Sequence, residues 1–366
     1  MRWKWRRSLF FLLLVVIFLV FVEENSGGAV FIFLQNRYGE EFIRPITTDR
    51  NASDPDSIAL AVIYSGSTFD KEYNLAHQTL QCYCKLFRYP FYFIDVETST
   101  SFAEACPHKD FMFKRHCVLA NFMNTVSHQW IFFLDGDVGV INPNHLLEQY
   151  LPSEQYSLVF YQRIMNQEIM AGSYLVRNDD FSKTFLHDWA DYEFKLPNSF
   201  HGTDNGAIHS VLADLVAPSD VNYRNVCADY WAKANDYYTL SVHEVCLQLY
   251  LKRFSPKRVK ILEKGRLSWS RDGWLTDSSW SQKDFMFHGW QLKRKDRLIF
   301  GRWHSPLVEG TFDVEQCSDP KTAAGLWRYK DSFFRSDIEL DRILSNRISS
   351  LQDEFVHIQR EITQRL

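Results

Sequence analysis

The chain has 366 residues, 46% hydrophobic and 23% charged, a globular mix sufficient for one large or two small domains and too apolar for a disordered chain. Net charge is −4 and the isoelectric point about 6.3, which removes the basic footprint expected of a binder of nucleic acid or anionic lipid. Aromatic residues reach 16%, a surplus that suits stacking on sugar C–H faces and suits a well-filled core even better.

At the N-terminus Arg2, Lys4, Arg6 and Arg7 precede fourteen apolar residues, 9–22. A basic flank before such a run stays in the cytosol, so residues 1–8 read as a cytosolic tail and 9–22 as a signal anchor. The run is short, which fits the thinner membranes of the early secretory pathway. A cleaved signal peptide, cut near Ser26-Gly27-Gly28-Ala29, is the competing reading. The first reading gives a single-pass type II protein of the Golgi or ER membrane, the second a secreted one. Both place the body in the lumen. Residues 23–57 read as a stem, with a short apolar patch at 29–34 and an N-glycosylation sequon at Asn51-Ala52-Ser53. Of the cysteines at 82, 84, 106, 117, 227, 246 and 317, some pair in an oxidising lumen and at least one stays free. Cys227 with Cys246 is expected from nearness in sequence alone.

From 58 to 312 apolar runs alternate with helical stretches. Strands are expected at 58–64, 91–95 and 130–134, and helices at 73–87 and 114–126. Unbroken apolar runs suggest strands covered on both faces, hence an α/β domain with a doubly wound, parallel sheet. Ligands sit beyond the carboxyl ends of strands in such sheets. Tyr64 and Ser65, at the end of the first strand, are candidates for a nucleobase and ribose. Trp269, Trp274 and Trp280 are candidates for an acceptor site, with core burial the safer reading.

Asp135-Gly136-Asp137 follows the apolar run 130–134 at once. Residues two apart at a strand end point to one side, so two carboxylates converge where the sheet presents ligands. They repel unless a cation or protons intervene. Oxygen ligands select Mg²⁺ or Mn²⁺, which bridge protein carboxylates to substrate phosphates. Gly136 leaves room for a diphosphate to approach. A turn rich in Asp and Gly is the bland alternative, and for an isolated Asp-x-Asp it is the commoner one.

The flanking sequence changes those odds. Trp130-Ile131-Phe132-Phe133-Leu134-Asp135-Gly136-Asp137, followed by Ile141-Asn142-Pro143, resembles the metal-binding strand of glycosyltransferases of the GT-A fold. The likeness is nearest to the galactosyl/mannosyl/xylosyltransferase group that includes the yeast mannan and galactomannan enzymes, and to a nematode-expanded group of uncharacterised transferases. Ala171-Gly172-Ser173-Tyr174-Leu175-Val176-Arg177-Asn178, His201-Gly202-Thr203-Asp204-Asn205 and Phe287-His288-Gly289-Trp290 are similar to further motifs of that group, in the same order. Asn205 departs from the pattern, standing where glutamine is usual.

The resemblance implies a GT-A-like, Rossmann-like nucleotide-diphospho-sugar transferase domain over 58–312. Its partners would be a nucleotide-sugar donor and a glycan or glycoprotein acceptor, with a retaining outcome. Asp135 and Asp137 would bind the metal, with His288 as third ligand; an imidazole favours Mn²⁺ over Mg²⁺. Asp204 would be the catalytic carboxylate near the anomeric carbon. Lys114 is a candidate for the donor sugar or pyrophosphate. Lys293, first in the basic run Lys293-Arg294-Lys295, is a candidate for the diphosphate.

Two rivals remain. A haloacid-dehalogenase-type phosphatase also carries Asp-x-Asp after a strand, but Gly139 stands where it would need Thr or Val. A glycosyltransferase-like protein that binds glycans without catalysis is the other. Finally, 322–366 reads as a helical segment: Leu344, Ile348, Leu351, Phe355, Ile358 and Ile362 recur at steps of 4, 3, 4, 3 and 4. That seam fits packing on the chain's own domain or a homo-oligomer.

Overall fold

The computed structural model describes residues 30–35, 41–46, 57–66, 69–98, 100–216, 220–291, 303–308, 310, 312–319, 322–323 and 325–366. The expected tail, the anchor at 9–22, the sequon and Lys293 lie outside the described residues. Among the described residues no helix is long and apolar enough to cross a membrane. Within the expected stem, β1 (Val30–Gln35) pairs antiparallel with β2 (Glu41–Ile46).

The expected strands form as read: β3 (Ile58–Tyr64), β4 (Phe91–Asp95) and β5 (Trp130–Leu134). The helices between them, α1 (Phe69–Phe87) and α2 (Phe111–Met123), begin a few residues earlier than their apolar periodicity suggests. Asp110 caps α2 by accepting from the Met112 amide. β6 (Val138–Val140), β7 (Leu158–Tyr161), β8 (Ser173–Arg177) and β9 (Val259–Leu262) follow. The main sheet has the order β4-β3-β5-β8-β7-β9.

Here the wholly parallel, doubly wound expectation is corrected. β3 is parallel to both β4 and β5, but β8 runs antiparallel to β5 and β7, so the sheet is mixed. Apolar runs report burial on both faces, and a mixed sheet inside the molecule is buried just as fully. Alternate residues of β5 supply two cores. Ile131 and Phe133 face the layer of α2, α3 (Asp180–Ala190), α4 (Thr203–Asp214) and α6 (Tyr237–Arg253). Trp130, Phe132 and Leu134 face α1 and a second, three-stranded sheet.

That small sheet joins distant parts of the chain. β11 (Met286–His288) lies between β10 (Ser270–Asp272) and β6, with His288 opposite both Asp272 and Val138. β6 starts one residue past Asp137, so the pairing carries His288 to the end of β5. Gly139 makes the approach feasible: a Cβ there would fall 1.7 Å from the Trp290 ring. Trp269 and Trp280 are fully buried, as the core reading expected.

α5 (Val221–Lys233) is tied to α6 by Cys227–Cys246, the expected pair. Cys82–Cys317 and Cys106–Cys117 also form, and Cys84 is free. The C-terminal helix α7 (Asp337–Thr363) is closed at its start by a capping box between Ser336 and Glu339. Its residues Leu344, Leu351, Phe355, Ile358 and Ile362 are buried, and Phe355, Ile358 and Ile362 belong to the α-helical core. Of the two partners the seam left open, the chain's own domain takes these residues.

Candidate metal centre

β5 ends at Leu134, and Asp135, Gly136 and Asp137 turn the chain toward β6 beneath a cleft of about 720 Å³. The Asp135 amide donates to the Gly172 carbonyl at 2.7 Å, anchoring the turn to the start of β8. Gly172 has a steric reason to be glycine, since a Cβ there would sit 1.9 Å from Asp135 Oδ2. Asp135, Asp137 and His288 each offer one ligand atom, all within 4.8 Å of one another, and together can hold a metal ion. His288 Nε2 lies 3.3 Å from Asp137 Oδ1 and 3.9 Å from Asp135 Oδ2.

The surrounding shell fixes these ligands. His288 Nδ1 donates to Asp272 at 2.7 Å, which leaves the Nε2 lone pair facing the carboxylates. Asp272 is held in turn by Arg163 at 2.7 Å, and Arg163 by Glu168 at 2.8 Å. Burial alone would raise the Asp272 carboxyl, but Arg163 and His288 hold it well below its ordinary value, so it stays an anion. Gln291 donates to Asp137 Oδ2 at 2.7 Å. Burial pushes the Asp135 carboxyl up to about 6 against the pull of Arg115, with Asp137 adding to the rise. A cation among these groups relieves that strain in charge. Two carboxylate oxygens and an imidazole nitrogen fit Mn²⁺ or Mg²⁺ in donor chemistry.

Other expected residues divide. Tyr64, Ser65 and Gly136 line the same cleft. Ser65 donates to Glu97 at 2.9 Å, and the Tyr64 ring stacks on Phe93 with centroids 4.0 Å apart. Lys114 is not among the cleft-lining residues; Arg115 is, because the phase of α2 turns the next position inward. The guanidinium of Arg115 bridges Asp135 and Asp204, the latter at 2.6 Å. Although burial disfavours its charge, the two carboxylates hold it firmly protonated.

Asp204 requires a correction. The resemblance implies a carboxylate near the donor's anomeric carbon, but Asp204 is 0% exposed and does not line the cleft. Its Oδ2 accepts from Arg115 and from His116 at 3.0 Å. His116, pushed down to about 4 by burial, is neutral, so it donates through Nε2 and accepts from the Tyr174 hydroxyl at 2.9 Å. Asp204 therefore holds Arg115 from behind and does not open onto the cleft. Its neighbours Thr203 and Asn205 do reach the cleft, and Thr203 holds a left-handed backbone, φ 53°, a strained conformation for a β-branched residue. Trp274 is half-buried and away from the cleft, so the three tryptophans form no acceptor platform.

These features define an α/β protein with a carboxylate–histidine group able to hold a metal in the wall of a large cleft. The chain belongs to the family described as "Protein of unknown function, DUF273", whose profile matches residues 80–302. No curated protein is recognisably similar to it in sequence. Among solved structures it is similar to a glycosyltransferase involved in the glycosylation of the major capsid of PBCV-1. That likeness has 11% identity and a TM-score of 0.37 over 63% of this chain and 93% of that one. It is also similar to the glycosyltransferase GlyE of Streptococcus pneumoniae TIGR4, at 13% identity and a TM-score of 0.30 over 54% of this chain and 64% of that one. The apo form of GlyE gives 13% and 0.31 over 55% of this chain and 53% of that one, so the chain spans less than two thirds of GlyE. At these scores the likenesses carry no argument, and function is read from the site.

Proposed function

We propose that this protein is a metal-dependent glycosyltransferase. It moves a hexose or pentose from a UDP- or GDP-linked donor to a glycan or glycoprotein acceptor, with retention at the anomeric carbon. The observation that carries the reading is the convergence of Asp135, Asp137 and His288 in the 720 Å³ cleft. Its volume lies within the roughly 300–1,000 Å³ of small-molecule pockets. The luminal setting, behind a type II anchor of the Golgi or ER, is supported by the three disulfides. The preferred ion is Mn²⁺, supported by the imidazole in the donor set.

In this mechanism a bound ion supplies Lewis-acid charge for the departing nucleoside diphosphate. Asp272 keeps His288 in the tautomer that presents Nε2. Gln291 occupies Asp137 Oδ2 and leaves Oδ1 toward His288. Arg115, held by Asp204, adds a fixed positive charge at the rim of the same site and needs no reorganisation to do so. Tyr64 and Ser65, on the wall formed by the end of β3, take the nucleoside. Gly136 leaves the diphosphate room against the backbone.

The test is donor turnover. Incubated with UDP- and GDP-linked sugars and Mn²⁺, the protein should release one nucleoside diphosphate, and chelation should stop it. Asp137→Ala should lower the rate by roughly 100-fold or more, since the ion's charge is worth several kcal/mol. Turnover that persists unchanged in the chelator, or in Asp137→Ala, would sink the metal-dependent reading.

A further inference from the structure

A second pocket, about 280 Å³, adjoins the cleft and shares Met165, Asn166, Glu168 and Tyr237 with it. Its walls come from α6, through Tyr238, Ser241 and Glu244, and from α7, through Arg347, Leu351 and Glu354. The α7 residues lie beyond the segment that matches the family. Glu244 is 1% exposed, and its Oε1 has no hydrogen-bond partner although it lines the pocket. Leaving a buried polar atom unsatisfied costs about 1–3 kcal/mol, which a ligand hydroxyl would recover. Tyr237 and Tyr238 are 53% and 47% exposed, large rings left at the mouth.

We propose that this pocket, between α6 and the C-terminal helix, binds one neutral sugar ring of the acceptor, with Glu244 bonding a ring hydroxyl and Tyr238 covering an apolar face. The location fits, because a ring held there shares a wall with the donor cleft. The charge pattern favours a hydroxyl over a cation. Burial, then Glu168, pushes the Glu244 carboxyl well above its ordinary value against the pull of Lys264 and Arg163, which favours the protonated form that both donates and accepts as a sugar hydroxyl does. Glu168 is already paired with Arg163. Among the described residues, Asp135, Asp137 and His288 are the group arranged for a metal, and none of the pocket's acids belongs to it. The assignment of the ring to an acceptor rests on the transferase reading; the binding site rests on the pocket.

The experiment uses the full chain and saturation-transfer NMR with methyl α-mannopyranoside, methyl β-galactopyranoside and methyl β-xylopyranoside. Binding of UDP and GDP with Mn²⁺ is measured on the same samples. At least one glycoside should bind the wild type. Tyr238→Ala should weaken it roughly tenfold or more and leave nucleotide binding intact. Glu244→Leu should abolish glycoside binding while raising the unfolding temperature or leaving it unchanged, because it removes an unsatisfied buried group. A merely structural Glu244 would lower it. Nucleotide binding with no glycoside binding, or glycoside binding that survives both variants, overturns this proposal and spares the transferase reading. Glycoside binding without nucleotide binding does the reverse.

Discussion

At the scale of single residues, the centre is a set of ligands held by partners from other elements. His288 can point its Nε2 at Asp135 and Asp137 because Asp272 accepts the hydrogen bond of Nδ1–H. A carboxylate that orients a metal-binding histidine in this way is worth about 10–100-fold in metal affinity. Asp272→Asn should therefore weaken Mn²⁺ binding by about that factor, read by Mn²⁺ titration with electron paramagnetic resonance, in a protein whose circular dichroism is unchanged. An unchanged affinity would mean that Asp272 does not orient the ligand. The ligands themselves were legible: Asp135 and Asp137 from an apolar run ending in Asp-Gly-Asp, His288 by resemblance. Asp272, Arg163 and Gln291 were not, because their roles arise from strand register and side-chain reach, which spacing does not encode. Arg115 was missed by one position in favour of Lys114. Arg115 stands three and four residues past Met112 and Phe111, which line the cleft with it, but α2 is buried nearly all round, so its apolar pattern marks no cleft-facing side.

At the scale of elements, β3, β4 and β5 match the expected runs residue for residue; β3 and β5 are buried on both faces and so hold no charged position, while β4, at the sheet edge, is half-buried and ends on Asp95. Strand direction left no such trace. β8 reads as apolar as a parallel strand, and only its pairing with β5 shows it to be antiparallel. The three-residue strands β6, β10 and β11 are too short for periodicity, yet they carry Asp272 and His288 to the site. The C-terminal heptads were legible as a helix, while their partner was open. Ile358 is 0% exposed within the chain's own core. Ile358→Ala should cost about 2–5 kcal/mol in urea unfolding, with the sedimentation mass unchanged. A lower mass with little change in stability would show the seam to be an oligomer contact instead.

At the scale of the whole molecule, two cores flank one mixed sheet, and the small sheet and disulfides bind remote segments to it. Cys82–Cys317 joins positions 235 residues apart and ties α1 to the chain just before the C-terminal helix. In the chain-entropy view such a long closure is worth roughly 5.5 kcal/mol. The cleft and the second pocket share Met165, Asn166, Glu168 and Tyr237 as a common wall. On the proposed reading the cleft binds a nucleoside diphosphate through a metal held by Asp135, Asp137 and His288. The most direct measurement is thermal unfolding with UDP or GDP, with Mn²⁺ present or chelated. Ligand at 100 times its dissociation constant adds about 2.7 kcal/mol, a shift of a few degrees. The expected result is a shift with one nucleotide, dependent on Mn²⁺ and lost in Asp137→Ala. A folded protein whose midpoint moves with neither nucleotide would contradict it.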